Sequence, residues 1–170
     1  MCHITAAEIK TDGAAVAQAI NNIASIEATT DPTLGGQLSA AANGLLAVTN
    51  NWTTGSPVAD FNDAASAVEA ALALIPQTSA LVPFVEIAVT ALDILIANIG
   101  TSPAAGQPAA EITLKGVKAT QAAIAALPPN PYRGRIDIER HSWQTPRSAL
   151  KNAWNHQYDK TPVAGISKIV

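Results

Sequence analysis

Between Thr11 and Leu114 this 170-residue chain has no lysine and no arginine, which leaves any contact with phosphate groups to the remainder of the sequence. Cysteine occurs once, as Cys2, so neither a disulfide framework nor a thiolate cluster for zinc is available. Aromatic residues make up only 4% of the chain and charged residues 14%, well below the usual quarter or so for the latter. The opening Met-Cys-His-Ile-Thr has no basic stretch leading into an apolar one, so a classical signal peptide is not expected there. The expectation is cytoplasmic synthesis without classical export, consistent with incorporation in a virus particle or an extracellular assembly. Asn51-Trp52-Thr53 fits a glycosylation sequon, but nothing secretory supports it.

Alanine fills the gap, at about a fifth of the residues. It is the strongest helix former and lets helix backbones approach closely, and the apolar spacing agrees with it. Thr5 with Glu8 has capping-box spacing, and Ile9, Val16, Ile20 and Ile23 follow at helical intervals. Asp31-Pro32 predicts a second helix start, with Leu34, Leu38, Ala41, Leu45, Val48 and Trp52 alternating by fours and threes. Gly35, Gly36 and Gly44 weaken that helix or admit a close neighbour. Ser56-Pro57 repeats the punctuation before Val58, Phe61, Ala65, Val68, Leu72 and Ile75. A fourth helix is predicted over 80–99 and a fifth over 108–127, separated by a Pro/Gly loop at 101–108. The expected fold is all-α: an antiparallel four- or five-helix bundle over 1–127 with an extended C-terminal arm containing one short helix.

The arm, 128–170, is built differently. Pro128-Pro129-Asn130-Pro131 cannot continue a helix, and 135–139 alternates with period two, as a short strand would. Thr145-Pro146 predicts a short helix to Tyr158, and Ile166–Val170 closes extended and apolar. Four of the seven aromatic residues lie here, at Tyr132, Trp143, Trp154 and Tyr158. Charge divides along nearly the same line. Residues 1–114 hold one basic and ten acidic side chains, a balance of −9, whereas 115–170 hold nine basic and three acidic, a balance of +6. Opposite signs within one chain predict attraction between its parts, inside one molecule or between neighbours.

No catalytic pattern emerges. His3, His141 and His156 lie in no metal-ligand spacing. Asn152 and His156 share a helical face, but the flanking signature of a His-Asn-His nuclease is missing. Glu86 and Asp93 sit seven residues apart without a partner histidine or nucleophile, and read as a narrow solvent-facing stripe on an otherwise apolar helix. No cofactor or metal is expected.

Three readings compete. Helix 81–99 has the length of a membrane span and would suit a holin-like lysis protein, but its two carboxylates and its lack of basic or aromatic anchors oppose that. The spaced cations among aromatics in the arm permit nucleic-acid binding, though no named module is present. The third reading uses most features at once: a non-enzymatic structural protein, a virion or filament component, that self-associates as a homo-oligomer or docks on other structural subunits through its arm. Tyr132, Arg133, Arg135, Arg140, Trp143, Arg147, Leu150, Trp154 and Tyr158 are its expected partner-binding residues, because buried Trp, Tyr and Arg dominate interface energetics.

Overall fold

The computed structural model describes residues 5–53, 56–100, 127, 129–135 and 145–170. Among these the fold is all-helical: α1 (Ala6–Thr30), α2 (Pro32–Asn50), α3 (Val58–Leu72), α4 (Val82–Gly100) and α5 (Pro146–Lys160), with no strand. The predicted helix over 108–127, apart from Leu127, lies outside the described residues, as do the loop at 101–108 and positions 136–139 of the alternating segment.

Local chemistry accounts for most helix starts. Thr5 and Glu8 form a reciprocal capping box, the Glu8 carboxylate accepting from the Thr5 main-chain N–H at 2.6 Å. Those hydrogen bonds hold the exposed Glu8 carboxyl below its ordinary range. Asp31 caps α2 by accepting from Thr33 and Leu34, both at 3.0 Å, with Pro32 following. Thr145 caps α5 in the same way, and that helix runs two residues past Tyr158. The third start differs from expectation: Pro57 occupies the N-cap without a side-chain bond, because Ser56 Oγ accepts from the Thr53 main-chain N–H instead, at 2.8 Å. Trp52 also lies beyond α2, which ends at Asn50, yet it is buried edge-on against Phe61 with ring centroids 6.1 Å apart.

α1 and α2 pack antiparallel along a seam of small residues. Near one end Gly13 faces Thr49, and near the other Gly35 faces Ala28. A Cβ added at Gly35 would stand 2.6 Å from the Ala28 main chain, so hydrogen is what this crossing requires. Gly36 and Gly44 face open space and do not share that role. Ile9, Val16, Ile20 and Ile23 of α1 meet Leu34, Leu38 and Leu45 of α2 and Phe61, Val68 and Leu72 of α3 in one continuous core. α4 lies within it, with Val85, Ala88, Val89, Leu92, Leu95 and Ile96 all buried. It is long and apolar enough to cross a membrane, and most of it is covered by this core.

Glycine substitutions test the seam. Gly36→Ala and Gly44→Ala are each expected to raise unfolding free energy by about 0.5–1 kcal/mol. Gly35→Ala is expected to lower it, because main chain cannot move aside. Urea unfolding midpoints of the three variants give the comparison directly.

Candidate functional site

The residues predicted to meet a partner are in large part seated on the chain's own helices. A turn at 129–135 starts with Asn130, whose Oδ1 accepts from the Tyr132 main-chain N–H at 2.9 Å and whose Nδ2 donates to the Glu69 carbonyl at 3.1 Å. Gly134 closes the turn at φ +74°, in the left-handed region. This geometry drives Tyr132 into the core, fully buried, with its hydroxyl donating to the Ile75 carbonyl. Burial raises the phenol pKa.

Arg133 then enters the seam between α3 and α4. Its Nη2 lies 3.2 Å from Glu69 Oε1 and its Nε lies 3.4 Å from Asp93 Oδ1. Arg135 reaches Glu86 at 3.0 Å. The stripe of Glu86 and Asp93 on α4, expected to face solvent, instead faces these two arginines, and Asp93 is only 8% exposed. The reason is charge complementarity: a carboxylate row on an apolar helix is a seat for a basic turn. Glu69 is wholly buried, and desolvation lifts its pKa from 4.5 to about 7 against the lowering effect of Arg133.

α5 continues the docking against α4 and α1. Leu150 and Trp154 are fully buried, Ala149 nearly so, and the Trp154 ring packs edge-on to Phe84 at 4.8 Å. Residues 161–170 double back along α5. Trp154 Nε1 donates to the Ser167 carbonyl at 2.9 Å. Asn155 mimics a strand neighbour, donating to the Ile169 carbonyl at 3.1 Å and accepting from its N–H at 2.9 Å. Gly165, at φ +88°, sits close to Ile26, and Ile166 and Ile169 are buried. Lys168 pairs with Asp159 at 2.7 Å and lies over the half-buried Tyr158 ring.

Of the remaining expected contacts, Arg147 is exposed beside Lys10, and Arg140 and Trp143 lie outside the described residues. So do His3 and His141, while His156 and Asn152 are exposed on α5. Among the described residues no three metal-ligating side chains gather.

Four partners escaped the sequence reading. Glu69 carried a signal, since it falls four after Ala65 and three before Leu72 on the apolar face of α3. Asp12 stands likewise within the apolar run of α1, where its buried carboxylate lies close to Arg147 at the start of α5. Desolvation lifts its pKa from 3.8 to about 6. Asn130 and Asn155 had no distinguishing signal. Compared with family models, curated proteins and solved structures, the chain matches none.

Two predictions follow from these seats. Trp154→Ala is expected to cost about 3–5 kcal/mol through loss of a large core group. Tyr132→Phe should cost about 1–2 kcal/mol by orphaning the Ile75 carbonyl, with both read from denaturant unfolding. The second concerns Asp12, whose folded pKa lies above its unfolded value. Its contribution to stability is therefore present below pH 3.8 and is lost as pH rises through about 6. Asp12→Asn is expected to flatten thermal stability across that window and to raise it at neutral pH by about 1–2 kcal/mol.

Proposed function

We propose that the chain is a non-enzymatic structural protein, a virion or filament component, that self-associates or docks on a larger particle through a C-terminal arm. In this reading 1–127 is an antiparallel four- or five-helix bundle that receives the arm, and 128–170 is the arm. The supporting observation is the burial of Tyr132, Leu150 and Trp154 in the helical core, with α5 against α1 and α4 and with Arg133 and Arg135 against acidic side chains of α3 and α4. A surface complementary to its own C-terminal segment is complementary to that segment of every other copy. Exchange of the segment between subunits reproduces each apolar contact and each ion pair, and head-to-tail exchange builds rings or filaments.

Two features disfavour the alternatives. Arg133 and Arg135 are engaged by carboxylates, which compete with any phosphate for them. The apolar stripes of α4 are occupied by core contacts rather than offered to lipid.

Sedimentation velocity of the full chain over a wide concentration range is the deciding measurement. Concentration-dependent oligomers, diminished by Trp154→Ala, are expected. A monomer at every concentration would end the self-association reading. Salt-sensitive retention on DNA or RNA, or partition with vesicles, would transfer support to the nucleic-acid or membrane reading.

A further inference from the structure

We infer that a groove shared by α1, the end of α2 and the start of α5 binds a small organic anion, whose acid group is met by Lys10 and Arg147. The inference does not rest on self-association, because it concerns a site for a small molecule.

The groove follows from spacing on α1. Lys10, Ala14 and Gln18 recur every four residues along one helical face, so the small Ala14 leaves a depression between two long polar side chains. Asn50, the last residue of α2, and Arg147, in the first turn of α5, line the same space. Ile169 adds apolar surface. The volume is about 430 Å³, within the range of small-molecule sites.

Its charge is of one sign. Lys10 is the single basic residue before Lys115, and the fold sets it on the same groove as Arg147 with no acidic side chain in the lining. Among the described residues of the first hundred, every other exposed charge is acidic. Lys10 and Arg147 form no ion pair among the described residues, and the side-chain amides of Gln18 and Asn50 make no hydrogen bond there. The Asp12 carboxylate acts on Arg147, but it is buried and outside the lining, and Glu8 is held by Thr5. A cleft lined by uncompensated cations concentrates anions. Two cations suit a carboxylate or phosphate, two free amides suit its remaining oxygens, and Ala14 with Ile169 suits a short apolar body.

The test titrates the full chain, near neutral pH and at low salt, with hexanoate and with hexyl phosphate. The side-chain amide NMR signals of Gln18 and Asn50 and the Ile169 methyl signals are the reporters. Saturable shifts with at least one anion are expected, and the tighter of the two identifies the head group as carboxylate or phosphate. Lys10→Ala and Arg147→Ala, both at exposed positions, should each weaken binding at least about threefold, within the usual worth of an exposed ion pair. Lys160→Ala, at the far end of α5, should leave it unchanged. Hexanol, the same body without the charge, should not saturate the signals. Failure of both anions to saturate overturns the site, and so does equal saturation by hexanol. Affinity that survives in Lys10→Ala and Arg147→Ala, or falls equally in Lys160→Ala, also overturns it, the latter by showing only general attraction of counter-ions.

Discussion

A guanidinium taken out of water must be met by negative charge, and in this fold the burial of Arg133 between Glu69 and Asp93 fixes where the C-terminal segment sits. The contact is not a net source of much stability, since desolvating three charged groups offsets most of their attraction. Its effect is on placement. Arg133 can be buried only where those carboxylates converge, and breaking such a pair by removing one member costs about 3–5 kcal/mol. Once Arg133 is in place, Tyr132 beside it must enter the core and Arg135 must fall near Glu86 on the same helix. The apolar driving force for seating the segment then comes from Tyr132, Leu150 and Trp154, all three fully buried. Charge supplies the address and aromatic burial supplies the energy.

An alanine-rich core makes that division necessary. Small side chains allow α1 and α2 to approach until Gly35 meets the Ala28 main chain, which packs well but buries little area per residue. Phe61, Phe84, Tyr132 and Trp154 are the largest fully buried groups, and two of the four come from the C-terminal segment. The described helices of the first hundred residues therefore draw part of their core from residues beyond position 130. The doubling back of 161–170 adds Ile166 and Ile169 and covers the indole of Trp154, whose N–H would otherwise need another acceptor.

Helix positions were legible where a local rule governs them. Thr5 with Glu8, Asp31-Pro32 and Thr145-Pro146 each satisfy free N–H groups within a few residues, so spacing alone locates them. Ser56-Pro57 has the same form, but its hydroxyl is claimed by Thr53, a competition no composition rule ranks. Tertiary facts were legible only as imbalance. The charge asymmetry foretold attraction without saying that Arg133 would choose Glu69, and it left Glu86 and Asp93 assigned to solvent. Periodicity placed Glu69 on an apolar face, where a carboxylate asks for a partner, yet the partner lies 64 positions along the chain. The pairing of Asn155 with Ile169 depends on a chain reversal at Gly165 that two side-chain amide atoms complete, and asparagine looks the same in any loop.

Tyr132, Arg133, Arg135, Leu150 and Trp154 thus meet their complement inside one molecule, and this alters what the proposed assembly would require. A segment with free anchors would bind any copy it encountered, at a rate set by diffusion. A segment whose Tyr132 and Trp154 are already buried must first leave its own seat, so exchange carries the cost of opening those contacts. Under the proposed self-association, closed monomer and exchanged oligomer would share nearly all their contacts, and the balance between them would rest on concentration and on the segment's link to the helices. Whatever weakens the Glu69–Arg133–Asp93 contact lowers the opening cost without changing the exchanged contacts relative to the closed ones. In the proposed exchange such a change would speed opening but leave the equilibrium close to where concentration sets it, so the buried charges would govern rate while the aromatic seats would govern stability in either state.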